Sequence, residues 1–537
     1  MKKTALLLAW SLLASSVLAE TPSTPRFNVY EFVVQGNSVL PAAMVEKTLA
    51  PFLGPDKTFK DIEAARAALE KLYQDAGYLS VVVSLPDQKI QNDEVRFDVV
   101  EAQVDRLKVT GAQYALPSGI KAKVPSLAPG QTPYFPHVQE ELAKAQSGDV
   151  QVTPLIGAGD EADKLHVELK VEDKPAVHGS IEANSKQSFN TRRGRIESVL
   201  SYTNLWQKGH TAALSWQYAP TRPSDANTLT FIYGLPLAEA DDLTFSLTDS
   251  RSDTPTNTSL GGATLTRGRF YGVRWQHQLD ALNWPVRHST FVALDYKDNH
   301  DSNLDVGGFT TSKPPLRYPV VSVGYNLFWQ ASPQTSWQAN TSVATSNRSL
   351  AGRTVECEGR GEMDQFECKR AGSSPDFMVW KAGLGVQTEI IGKWQLNAKA
   401  DAQLASGPLA SGEQYSLGGM DTIRGYYEYE QAGDMGWSSR FELVTPAWAP
   451  FGEWRTTGLA FYDRGFILLK NPAASQHGHV HMAGTGLGWR ADNGHGLQLS
   501  LNAALPLIET DRAAQAGGFE TASKRRVHWD LVLRQAF

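Results

Sequence analysis

Beyond its first residues the chain has no uninterrupted apolar run of roughly 18 residues, which excludes a helical membrane protein. It has no excess of positive charge either. Fifty-seven acidic residues face 51 basic ones, for a formal net charge of −6, and Lys and Arg are scattered without a dense block. A nucleic-acid partner is therefore disfavoured. No G-x-x-x-x-G-K-[ST] string marks a nucleotide site, and no G-x-S-x-G elbow or convincing Ser, His and acid set marks a hydrolase. No catalytic residue and no cofactor are expected. Cysteine is nearly absent: Cys357 and Cys368 lie in the segment GRTVECEGRGEMDQFECKR, with no histidine near enough to complete a metal site. In an exported protein the expectation is one disulfide pinning a surface loop.

Export is what the N-terminus predicts. Lys2 and Lys3 precede an apolar run from Ala5 to Leu13, and Val17, Leu18 and Ala19 form a small-residue cleavage site before Glu20. That is the pattern of a secretory signal peptide over residues 1–19, followed by a short segment, residues 20–26. Mean hydropathy is −0.32. That average does not separate a soluble protein from a transmembrane barrel, whose strands alternate lipid-facing with lumen-facing residues.

Two kinds of pattern follow. In FNVYEFVVQG, PAAMVEKTLAPF, KDIEAARAALEKLYQDAG, YLSVVVSL and EVRFDVVEA the order reads strand, helix, helix, strand, strand, with Val95, Phe97 and Val99 alternating against Arg96, Asp98 and Val100. The same order recurs in VDRLKVTGA, PSGIKAKV, FPHVQEELAKAQSG, DVQVTPLIGAG and KLHVELKVED. These are expected to be two α+β modules, 27–102 and 103–173.

From residue 174 to residue 537 the grammar changes to long alternating strands separated by polar turns. WQLNAKADAQLA puts Trp394, Leu396, Ala398, Ala400, Ala402 and Leu404 on one face and Gln395, Asn397, Lys399, Asp401 and Gln403 on the other. Such segments number about 16, as a closed antiparallel transmembrane barrel of the bacterial outer membrane requires. A soluble sandwich or propeller is the alternative. The array's single-domain length and the aromatic residues near strand ends argue against it. The last strand carries Trp529, Leu531, Leu533 and Phe537 on one face.

The repeated order, together with Val34, Gly36 and Asn37 in a V-x-G-N opening, resembles the POTRA domain, a periplasmic module found before outer-membrane translocation barrels. The Gly-rich segment near 406–436 is too long for a turn. Its LGGMDTIRGYYEYE, with Arg424, Gly425 and Tyr426, resembles the lumen-folding loop of the BamA-like POTRA-plus-barrel superfamily. FYDRG, with Phe461, Asp463 and Gly465, resembles the barrel-wall motif that the loop's arginine meets. The terminal Phe537 resembles the signal by which outer-membrane barrels are recognised for assembly.

Two POTRA domains before a barrel of this length are similar to the two-partner secretion transporters of the haemolysin secretion/activation (ShlB/FhaC/HecB) type. The resemblance implies a Gram-negative outer-membrane pore that takes an unfolded partner through its POTRA domains and secretes it. The partner class would be a large adhesin, haemolysin or toxin-like protein. Outer-membrane lipid surrounds such a pore, and the barrel assembly machinery inserts it. It also implies an Arg424–Asp463 pair. The alternative within the superfamily is an insertase, which usually has more POTRA domains; a passive porin would have no use for them. Transporters of this group often carry an N-terminal plug helix, for which residues 20–26 leave no room. The loop around Arg424 is then expected to close the resting pore.

Overall fold

The structure is a computed structural model and describes residues 25–537 apart from 91, 162, 190, 257–264, 280–284, 301, 307–308, 358, 473–476 and 514–518. The expected signal peptide lies outside the described residues. The chain divides into two compact units between Pro175 and Ala176.

The first unit contains two small α+β domains built alike. In the first, Glu94–Glu101 is the middle strand, parallel to Glu31–Gln35 and antiparallel to Val81–Ser84. Its alternation buries Val95, Phe97 and Val99 against Ile62, Ala65, Leu69 and Tyr73 of the helix Phe59–Asp75. Thr58 and Asp61 open that helix with a reciprocal capping box. The run FNVYEFVVQG, read from sequence as one strand, is two. Arg26–Val29 pairs with Gly54–Thr58, and the chain changes partner at Tyr30.

In the second domain Lys164–Asp173 is the middle strand, between Gln103–Thr110, parallel to it, and Val150–Ala158, antiparallel. The duplication extends to backbone detail. Gly36 and Gly111 each take a positive φ, and a Cβ on either would lie 2.2 or 2.4 Å from the carbonyl oxygen of Val99 or Val171. Only glycine fits where the first strand turns away so close to the middle one.

Asp173 closes the second domain by accepting backbone N–H bonds from Gln113, Tyr114 and Ala115 at 2.7–3.1 Å. Partial burial opposes its ionisation, but these three amides outweigh it and hold the carboxyl below the usual aspartate range. The contact therefore stabilises above the unfolded pKa of about 3.9 and is lost as pH falls through the lower folded value. Asp173→Ala is expected to speed hydrogen exchange at the amides of residues 113–115 by about tenfold at neutral pH. Unchanged protection in the full-length protein would count against this role.

The second unit is a closed antiparallel barrel of sixteen strands. It runs from Val177–Asn184 to His528–Ala536, and these two strands pair with each other to close it, Val532 opposite Asn184 and Ala536 opposite Ser180. Phe537 adds two backbone hydrogen bonds to Gly179, both 2.9 Å, and its ring lies over that glycine. The outer surface bears Phe231, Leu294, Trp380, Trp489, Leu531 and Leu533, exposed as lipid-facing groups must be. Among the described residues no helix is long and apolar enough to cross a membrane.

Connections at one end are short, such as 206–209, 333–334 and 493–496. Those at the other are long, such as 347–376, 406–434 and 507–527. Short turns face the periplasm and long loops the exterior in outer-membrane barrels. The expected disulfide, Cys357–Cys368, is present and lies in the outer loop 347–376.

Candidate functional site

Residues 406–434 leave the strand Gln395–Ala405 and turn back to meet Met435–Val444. A short strand pair, Tyr415–Leu417 with Gln431–Gly433, makes the segment a hairpin. Its tip bears Ile423, Arg424, Gly425 and Tyr426. Leu417, Ile423 and Tyr426 pack with Ile467 and Met482 of the barrel wall in a small apolar cluster.

Strand register explains what the tip meets. Arg440, Asp463, Gly484 and Pro506 are cross-strand neighbours in one row, and Glu442, Phe461 and Gly486 form an adjacent row. The tip lies across both. Arg424 is 1% exposed and Asp463 0%. Arg424 donates Nε and Nη2 to the two carboxylate oxygens of Asp463, each at 2.7 Å, and its backbone N–H to Asp463 Oδ2 at 3.1 Å. Nη1 donates to Glu442 at 2.6 Å. The guanidinium also lies over the Phe461 ring, 3.6 Å from its centre. A planar fork with fixed donor directions is what this arrangement uses, and lysine has none.

The remaining motif residues shape the seat. Gly425 takes φ 95°, and a Cβ there would lie 2.9 Å from the backbone nitrogen of Pro506. The Tyr426 hydroxyl sits between the carbonyl oxygens of Ala483, at 2.9 Å, and Ile508, at 2.7 Å, and has one proton to donate to them. Gly465 makes room for Leu417, whose Cδ1 would be 2.5 Å from an added Cβ. Arg424, Gly425, Tyr426, Phe461, Asp463 and Gly465 thus converge on one place. Cys357, Cys368 and Phe537 lie elsewhere.

Several members of the site escaped sequence reasoning. Arg490 donates to both oxygens of Glu442 at 3.1 and 3.2 Å, and Arg440 stands 3.9 Å from Asp463. Three arginines therefore share two carboxylates. Below the tip, Glu428 accepts the backbone N–H of Met420 at 2.9 Å, and its own N–H donates to Gln187. Glu430 accepts from the hydroxyls of Thr510 and Ser523. The available signal was alternation: Ser438, Arg440 and Glu442 share a polar face in GWSSRFELVT. Nothing local says which polar residues the loop will touch.

This is a site that holds a loop. Residues 27–102 match the family model described as POTRA domain, ShlB-type, and residues 317–491 match that of the haemolysin secretion/activation protein ShlB/FhaC/HecB. The second span contains every member of the arginine–carboxylate cluster. Among curated proteins, the outer membrane transporter CdiB of Escherichia coli is 23% identical over 514 residues, covering 91% of this chain and 80% of that protein. Among solved structures, CdiB from Escherichia coli superposes with a TM-score of 0.61 at 19% identity, covering 98% of this chain and 93% of the other. CdiB from Acinetobacter baumannii gives 0.55 at 12%, covering 96% and 91%. BamA from Haemophilus ducreyi lacking POTRA domains 1–3 gives 0.53 at 12%, covering 95% and 100%.

Proposed function

We propose, from the premise that this chain belongs to the haemolysin secretion/activation (ShlB/FhaC/HecB) family of two-partner secretion transporters, that the docked loop is the gate of its pore. The protein is an outer-membrane transporter with periplasmic POTRA domains, not an enzyme, and its partner is a secreted protein. The observation that carries the gate reading is the buried Arg424 fork, which fixes an otherwise extended hairpin to the wall of a closed barrel. Arg424 and Asp463 act in this reading as a latch that must release before cargo passes.

Cargo would reach the pore unfolded. Each POTRA sheet offers outer strands, Val81–Ser84 in the first domain and Val150–Ala158 in the second, to which an extended segment can add by main-chain hydrogen bonds. Val82 and Leu155 on these strands are exposed. The cargo class fitting the family is a large adhesin, haemolysin or toxin-like protein, and its folding outside would draw the chain outward. Phe537, at the end of the closing strand, is the residue we assign to recognition by the barrel assembly machinery.

Export of a secreted partner tests the recognition step. Deleting residues 27–102 is expected to reduce export to background while the barrel still reaches the outer membrane and retains its heat-modifiable migration. Export persisting at the full rate would remove the first POTRA domain from the mechanism.

A further inference from the structure

The loop inside the barrel is held a second time, at its stem. Asp434 is its last residue before the strand Met435–Val444 and is 0% exposed. Its carboxylate accepts two bonds from Arg370, Nη1 at 2.5 Å and Nη2 at 2.9 Å, and backbone N–H bonds from Leu409 at 2.8 Å and Lys470 at 2.7 Å. Arg370 donates further to the carbonyls of Leu409 at 2.7 Å and Lys470 at 2.6 Å. One ion pair thus ties the outgoing stem of the loop to its incoming stem and to the next outer loop.

Arg370 does not belong to the loop it holds. It comes from the outer loop 347–376, in which the hairpin of Thr354–Cys357 with Gly361–Asp364 leads into the short helix Gln365–Lys369. Three features fix that arm. The Cys357–Cys368 disulfide joins hairpin to helix. Phe366 is fully buried against Tyr318 and Phe377. Gln365 donates to the carbonyl of Arg317 at 2.9 Å and accepts that residue's N–H at 3.0 Å. Arg370 follows the helix directly, its N–H bonded to the Phe366 carbonyl at 2.9 Å. The barrel strands on either side pair through their own backbones and need none of this. What Arg370 adds is a bond from one outer loop to the base of the loop in the pore.

We propose that Arg370 is a positioning residue for the pore loop, presented by a disulfide-closed arm on the outer surface, so that this arm sets how readily the loop leaves its docked place. The proposal rests on the reading of the Arg424 loop as the gate.

Single-channel recording of the full-length protein in planar bilayers tests it. Arg370→Ala is expected to raise the frequency of opening events by about fivefold or more, with Arg370→Lys intermediate because lysine keeps the charge and loses the fork. Cys357→Ser/Cys368→Ser should raise it in the same direction, and adding Arg370→Ala to that variant should change little, since both act through one contact. His495→Ala, which breaks an exposed contact with Glu453 between two short turns at the opposite end of the barrel, should leave it unchanged. An opening frequency in Arg370→Ala within twofold of wild type overturns the proposal, as does an equal rise in His495→Ala. Should the alanine variant fail to insert as a heat-modifiable barrel, the lysine variant decides by the same criterion. Openings that increase with Arg424→Ala but not with Arg370→Ala remove the clamp and leave the gate. If neither variant opens the pore, the gate reading itself fails.

Discussion

Arg424→Ala is expected to leave a folded barrel whose pore no longer rests quietly. The strand-to-strand pairing of the barrel does not run through the loop tip, so heat-modifiable migration should be unchanged. At the site the loss is large. Asp463 surrenders both guanidinium bonds at full burial, and Glu442 surrenders one. Breaking a buried pair from one side costs about 3–5 kcal/mol because the other charge stays behind. Here the lower end applies: Arg440 is already 3.9 Å from Asp463, and Arg490 bonds Glu442. Even about 3 kcal/mol shifts the balance of docked and undocked loop more than a hundredfold. A docked loop occupies one place beside the wall; a freed one samples the lumen. Frequent, irregular current events should follow, and export of the partner should fall about tenfold because the cargo meets a moving obstacle. Arg424→Lys should lie between, retaining charge without the fork. Quiet recordings and full-rate export from an inserted Arg424→Ala protein would remove the latch.

Different physical ranges explain what was legible in the sequence. A barrel strand carries its fold class within its own length, because Trp394, Leu396 and Ala398 must meet lipid while Gln395 and Asn397 meet water. The POTRA sheets were legible likewise through Val95, Phe97 and Val99. Tyr30 marks where that failed. The apolar phase of FNVYEFVVQG shifts there, from Phe27 and Val29 to Phe32 and Val34, but a period carries no partner's address. Arg424 and Asp463 were reached by family resemblance. Glu442, Arg440 and Arg490 were not, since each looks like any other lumen-facing charge. Which of these the loop meets depends on strand register summed around the barrel and on where a hairpin tip lands. Arg370 and Asp434 are separated by 64 positions and belong to different outer loops, so neither local pattern points to the other.

Gly484→Ala is expected to undo the docking while removing no charge at all. In MAGTGLGWR this glycine looks like one of several that simply lighten a strand. In the barrel it is the cross-strand neighbour of Asp463, and the backbone of Arg424 passes directly above it. An added Cβ would lie 2.1 Å from the Arg424 carbonyl oxygen and 3.3 Å from its carbon. Both contacts are with backbone, so no flexible side chain can swing aside, and the wall is fixed by its neighbours on both sides. The loop must lift. Overpacking of this kind typically costs about 1–3 kcal/mol, and lifting Arg424 also lengthens its bonds to Asp463. The variant should therefore show the restless current of Arg424→Ala, with the barrel intact. Because both substitutions break one docking, the double variant should be no worse than the stronger single one. Gly407→Ala, at a position where nothing lies within 4 Å of an added Cβ, should record as wild type. A Gly484→Ala pore as quiet as wild type would mean that the backbone at Arg424 does not need its seat, leaving the charges alone to hold the loop.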